Sequence, residues 1–141
     1  MTRGRRKKGS YRVFISHSSR DRWICERIKE CVERYGAVAW LDTIEIPVGG
    51  TVPESVIKGI RSSDELLVVL SPATKSSEWV SAEIGMAMVL GLSIAPVLLH
   101  VDRNELPGMI RDKTPVDINQ LQTYLEQLGG RVKAKVTKTT R

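Results

Sequence analysis

Cysteine is nearly missing from this chain. Two residues, Cys25 and Cys31, stand six apart. Six residues of helix turn through about 600°, so on the helix predicted there the side chains diverge and cannot bridge locally. No C-x-x-C pair or Cys/His cluster occurs, and His17 and His100 are far apart without ligand-like neighbours. A zinc module and a disulfide scaffold are therefore excluded as readings, and no metal is expected. Long apolar runs are missing too. None reaches the ~18 residues of a membrane span. The basic start "MTRGRRKKGS" has no apolar segment behind it, so it is not a signal peptide, and a cytoplasmic protein is expected. Aromatics make up only 5% of the chain. None is interleaved with the terminal charges, which leaves base stacking by the tails unsupported.

Charge is unevenly spread. Residues 1–10 and 131–141 each hold five Lys/Arg and no acid. Without them the net +6 becomes 12 basic against 16 acidic residues over 11–130, a net of −4. The expectation is one acidic domain over 11–130, with disordered basic tails at 1–10 and 131–141. Such tails can hold nucleic acid or anionic lipid by charge alone, or simply be solvated.

Apolar patterning organises the body. "YRVFISH" (11–17), "AVAWLD" (37–42), "ELLVVLS" (65–71), "SIAPVLLHV" (93–101) and "PVDI" (115–118) read as strands. Helices are predicted over the Ile24, Ile28, Cys31, Val32, Tyr35 stripe, over 54–63, over 77–91, briefly around 105–111, and over 119–128, closed by Gly129–Gly130. Pro96 argues that the fourth strand lies near a sheet edge or carries a bulge. Strand and helix alternate about five times, which predicts an α/β fold: a flavodoxin-like five-stranded parallel sheet, order 2-1-3-4-5, with helices on both faces. Ligands in such sheets bind at the carboxyl ends of strands 1 and 3. The loops there are "SHSSRD" and "SPATKSS". From Ala82 to Leu92 every residue is apolar or Gly except Glu83, a carboxylate near that crevice.

Neither G-x-G-x-x-G nor G-x-x-x-x-G-K-[ST] is present, so any phosphate rests on hydroxyls, backbone N–H groups or a helix N-terminus. One of Ser18 and Ser19 serves as an N-cap, leaving the other for a ligand. A phospho-receiver reading fails, because strand 3 ends "LSP" and strand 1 ends "SHS" without the required acids. Ser71 or His17 as a nucleophile has no partner acid at a readable spacing.

Three stretches in order, "YRVFISHSSRD", "WLDTIEIPVGG" and "LLVVLSPATKSSEWVSAEIG", resemble the Toll/interleukin-1 receptor (TIR) domain family. The resemblance covers about 11–128, and "FISHSSRD" is similar to its bacterial branch. It implies a stand-alone single-domain TIR protein that cleaves the nicotinamide–ribose bond of NAD⁺, with NAD⁺ as substrate and no cofactor. The products would be nicotinamide and ADP-ribose or a cyclic isomer, in bacterial antiphage signalling through a separate effector subunit. Glu83, in Trp79-x-x-x-Glu83, matches the essential glutamate. Val80 departs from the Cys that animal and plant members commonly carry. Ser16, His17 and Ser18 match the loop bordering ribose and phosphates. Asp42 matches the acid ending strand 2, and Trp40 reads as strand core. Lys75 and Ser76 could meet a phosphate. Ile44, Pro47, Val48 and Gly49 match the mobile loop that gates the site or joins TIR copies. The rival implication is a non-enzymatic module acting by TIR–TIR association or by mimicry of host TIR signalling.

One carboxylate can suffice for that chemistry. Nicotinamide leaves as a neutral molecule and needs no acid. A carboxylate beside the ribose offsets the positive charge that develops there. Trp79 and Glu83, at i and i+4, share a helix face, so the indole can wall the site or stack on a substrate ring. The plain alternative makes Trp79 a core residue and Glu83 a helix edge at the surface.

Overall fold

The computed structural model describes residues 10–41, 51 and 53–139. Five parallel strands run β1 (Arg12–Ser16), β2 (Val38–Leu41), β3 (Glu65–Leu70), β4 (Ser93–Leu98) and β5 (Val116–Asp117), in the order β2-β1-β3-β4-β5. The helices are α1 (Arg22–Arg34), α2 (Glu54–Arg61), α3 (Glu78–Val89) and α4 (Leu121–Thr139). The predicted fold class is the observed one.

Strand alternation sorts the core into two layers. Val13, Ile15, Leu67, Val69 and Val97 turn toward α1 and α4. Phe14, Leu66, Val68, Leu70 and Leu98 turn toward α2 and α3. All six residues of β3 are buried, as a central parallel strand requires. Pro96 is tolerated for a local reason. Leu99 donates its N–H to Leu70 C=O. By alternation position 96 points away from β3, toward β5, whose pairing begins only at Val97.

Several expectations change. The stretch around 105–111 forms two 3-10 turns, Arg103–Glu105 and Gly108–Ile110, rather than a helix. Trp40 is not core: it is 37% exposed, tilted against Phe14 with ring centroids 6.0 Å apart. It also lies across α2 at Gly59, where an added Cβ would come within 2.7 Å of the indole. Residues 131–139 are not a disordered tail either, and the domain does not stop at 130; residues 140 and 141 lie outside the described residues. α4 continues through Gly129–Gly130 to Thr139. Residues 1–9 lie outside the described residues.

Packing explains why the glycines do not end α4. Val132 is buried in the α1/α4 layer. Arg131 reaches Glu65 at the start of β3 with Nε (2.9 Å) and Nη2 (3.3 Å). Glu65, 1% exposed, also accepts from the hydroxyls of Tyr11 and Tyr124, each at 2.5 Å. Lys135 pairs with Asp64 at 2.8 Å, and Asp64 also accepts the Arg12 N–H at 2.8 Å. At Gly129 a Cβ would press to 3.1 Å from Tyr35, so the missing side chain lets the helix lie close to the end of α1. Tertiary contacts here outweigh the ~1 kcal/mol that a helical glycine costs.

Two outcomes follow from this cluster. Truncation after Gly130 should lower the unfolding free energy by about 3 kcal/mol or more, read by urea denaturation. It removes a cation from a buried carboxylate and exposes apolar area around Val132. Burial, with the Glu65 charge adding to it, pushes both tyrosine hydroxyls well above their ordinary range. The fold therefore holds these protons more tightly than the unfolded chain. Its stability is complete below pH ~10 and falls as pH rises beyond that, by about 1.4 kcal/mol per pH unit for each tyrosine. Denaturation curves for the Tyr11→Phe/Tyr124→Phe double variant should show a shallower alkaline decline than wild type.

Candidate active site

The site grows from the carboxyl ends of β1 and β3. Ser16 ends β1 fully buried, and its hydroxyl donates to Glu83 Oε1. Glu83 is itself only 1% exposed. The surface-edge alternative is thereby corrected: the carboxylate sits inside, behind the first strand. α3 permits this because it lacks a polar face across its middle. Val80, Ile84 and Ala87 fill the core beside Glu83. Ser77 caps the helix by accepting the Val80 N–H at 3.2 Å. Trp79, one turn before Glu83, packs against the α2/α3 layer, and its Nε1 is buried with no hydrogen-bond partner among the described residues.

The loop after β1 begins buried, at His17 and Ser18. The His17 ring lies with Nδ1 3.4 Å from Ile15 C=O, and only 2% of the residue is exposed. Ser18 is the residue that caps: it opens the 3-10 turn Ser19–Asp21 and accepts the Arg20 N–H at 3.3 Å. Ser19 is exposed.

The loop after β3 is pinned at both ends. Ser71, buried, accepts the Ala73 N–H at 3.1 Å and exchanges hydrogen bonds with Thr74, capping the 3-10 turn Pro72–Ser76. Its hydroxyl donates to Asp21 Oδ2 at 2.5 Å. At the other end Lys75 forms an ion pair with Glu105 across a cavity of about 360 Å³. That pairing, with the Asp102 N–H donating at 2.6 Å, holds the Glu105 carboxyl below its ordinary value. Lys75 is thus engaged by a carboxylate, and the described contacts do not join it to Glu83.

Sequence reasoning placed Glu83, Ser16, His17, Ser18 and Trp79 at this end of the sheet, and the structure brings them there. Ser16 meets Glu83 directly, whereas the sequence suggested a substrate contact. Asp42, Ile44, Pro47, Val48 and Gly49 lie outside the described residues, as does the side chain of Ser76. The Asp21–Ser71 bridge was missed. Both residues read as local caps, and nothing in the sequence signals a bond across fifty positions. Cys25, beside this loop, is no nucleophile: burial and then the nearby Asp21 charge push its thiol up to about 12. Among the described residues no cluster of three His, Cys, Asp or Glu could hold a metal. What the geometry offers is one oriented, desolvated carboxylate next to an indole. Such a group can stabilise positive charge on a reacting sugar without moving in the reaction.

Comparison with known proteins bears on the family and the fold. The TIR domain family matches residues 13–131. A 2′ cyclic ADP-D-ribose synthase of Acinetobacter baumannii is 31% identical over 128 residues, covering 84% of this chain and 48% of that protein. A second synthase of that name, from Bacteroides thetaiotaomicron, is 27% identical over 92 residues, covering 64% of this chain and 32% of its own. This chain spans about half the length of the first relative and less of the second. Among solved structures, the TIR domain of a Toll-related receptor from Hydra magnipapillata superposes with a TM-score of 0.68 at 20% identity, covering 88% of this chain and 99% of that one. A metazoan TIR-STING receptor from C. gigas gives 0.67 at 23% identity, over 92% of this chain and 41% of that one. These structural likenesses concern the fold.

The two loops should be mechanically coupled through Ser71. Ser71→Ala leaves the buried Asp21 oxygen without its donor and should cost about 1–3 kcal/mol. Asp21→Asn, which can still accept from Ser71, should cost less. Urea denaturation of both variants checks the ranking.

Proposed function

The chain belongs to the TIR domain family, and on that premise we propose that it cleaves the nicotinamide–ribose bond of NAD⁺. The observation that carries the proposal is the buried Glu83 carboxylate, oriented by Ser16 at the carboxyl end of the sheet. The relatives named 2′ cyclic ADP-D-ribose synthases supply the substrate class and favour a cyclic product over linear ADP-ribose. NAD⁺ is consumed as substrate, and no cofactor is invoked.

In the proposed reaction the C–N bond breaks with its electron pair going to nicotinamide, which leaves neutral. The ribosyl carbon becomes cationic beside Glu83. A hydroxyl of the same molecule, or water, then adds to that carbon and releases its proton to solvent. Ser16 acts as a positioning residue, holding one carboxylate oxygen so that the other can face the ribose. Trp79 forms the wall beside it. His17, Ser18 and Asp42 border the substrate, and Lys75 meets a phosphate only after leaving Glu105.

Segment 42–50, with Ile44, Pro47, Val48 and Gly49, is assigned to gating or to contacts between TIR copies. The biological setting we favour is bacterial immune signalling through a separate effector. The competing role, a module that works by TIR–TIR association without chemistry, makes Glu83 a mere packing residue. Among the described residues no helix is long and apolar enough to cross a membrane.

Glu83→Gln separates the two. It keeps size and some hydrogen bonding but removes the charge. Nicotinamide release should fall at least ~10²-fold, about 2.7 kcal/mol of barrier. Thermal stability should stay or rise, because a buried carboxylate is costly to ionise. Chromatography of nicotinamide, with mass spectrometry of the ribosyl product, reads both outcomes. Wild-type turnover in the variant would rule out the catalytic assignment. Absence of turnover in wild type at high concentration would transfer the case to the interaction module.

A further inference from the structure

The far end of α3 is apolar on its outer side, where a helix facing water is normally polar. Met88, Val89 and Leu90 are 44%, 86% and 41% exposed. From Ile84 to Val101 the chain holds no Asp, Glu, Lys or Arg. The turn that presents these side chains is fixed. Gly91 takes the left-handed conformation at φ 72°. Its N–H donates to Met88 C=O at 3.1 Å, and the Leu92 N–H donates to Ala87 C=O at 2.9 Å. That pair of bonds closes the helix, and Leu92 packs back against the core. Met88, Val89 and Leu90 are left as a small apolar tip.

Topology decides what lies beside the tip. Each helix leaves the carboxyl end of one strand and runs back along the sheet, so helix C-termini and strand starts share one end, opposite Glu83. α2, packed beside α3, ends there with Lys58 and Arg61. Arg34 ends α1, and Lys133 lies in the last part of α4. All four are exposed, and no described carboxylate pairs with them. The acids at this end are mostly engaged. Glu65 and Asp64 are held by Arg131 and Lys135. On α1, Glu30 and Glu33 pair with Arg27 and Lys29. Asp112 stands between Arg111 and Lys113 in sequence. The described residues also begin at this end, at Ser10, which five cations within residues 1–9 precede in sequence.

We propose that this end of the fold docks on an anionic lipid bilayer. Val89 and Leu90 enter the headgroup layer, and Lys58 and Arg61 lie among the lipid phosphates. The two features call for one surface that is negative outside and apolar just beneath. A nucleic acid would use the cations and leave the tip in water. A protein partner needs more than the tip, since each side of a stable interface supplies ~20–30 residues. Docked this way, the Glu83 end of the sheet faces away from the bilayer. The inference does not rest on NAD⁺ chemistry.

Flotation of the full chain with lipid vesicles tests it. Wild type should float with vesicles of equal parts phosphatidylcholine and phosphatidylserine, and not with phosphatidylcholine alone. Val89→Glu should weaken binding at least ~tenfold, by losing apolar contact and adding a repelled charge. Lys58→Gln/Arg61→Gln should also weaken it at least ~tenfold, at about a factor of five per cation. Trp23→Glu makes a matching charge change at the opposite end, on a residue 68% exposed, and should bind as wild type does. Circular dichroism and thermal melting confirm that each variant is folded. A wild type that does not float would overturn the proposal. So would Val89→Glu binding like wild type, or Trp23→Glu losing as much as Val89→Glu. Binding of a DNA duplex in place of the vesicles would move the cations to a nucleic-acid role and equally overturn it.

Discussion

Burial of β3 on both faces sets the terms for the polar groups at its two ends. No water reaches the strand, so each end must be satisfied by side chains from distant parts of the chain. At the start, Glu65 takes donors from Tyr11, Tyr124 and Arg131. Just past the end, the Ser71 hydroxyl donates a hydrogen bond to Asp21 and caps the following turn. The first cluster fixes α4 far beyond the point where composition alone would let it fray. The second fixes the loop that leads into α3, and with it the approach to Glu83. Fold and site depend on the same strand through its opposite ends.

The chemistry of the site follows from a mismatch on α3. This helix is apolar nearly all round, so a glutamate in its first half has no polar face to occupy. It turns inward, and Ser16 supplies a hydroxyl where an apolar side chain would leave it stranded. A buried carboxylate of this kind is a cost to the fold. Under the proposed function that cost has a use, since the developing cation on a ribose is what such a charge would offset.

Much of this could be read from the sequence, for definite reasons. Parallel strands buried on both faces leave unbroken runs such as Leu66–Leu70, and amphipathic helices leave stripes such as Ile24, Ile28 and Val32. Strand order followed from those two signals. Glu83 was visible because it alone interrupts an apolar stretch. The errors share one origin. Residues 131–139 look like a solvated basic tail locally, and Gly129–Gly130 look like a stop. Only the buried Glu65, sixty-six positions away from Arg131, makes those residues structural. The Asp21–Ser71 bridge escaped for the same reason: pairings over long separations have no local periodicity.

The Glu65 cluster also bears on the order in which the chain can be made. Its four residues come from the entry to β1, the start of the central strand and the last helix. While the protein emerges from a ribosome, β1, β2 and β3 are available well before α4. Until its nineteen residues arrive, Glu65 has neither Tyr124 nor Arg131, and the α1 layer lacks the cover of Leu125, Leu128 and Val132. The nascent domain must wait with one face of its sheet open. Closure waits for α4, and a ribosome paused within that helix holds an exposed, half-covered sheet of the sort that chaperones bind.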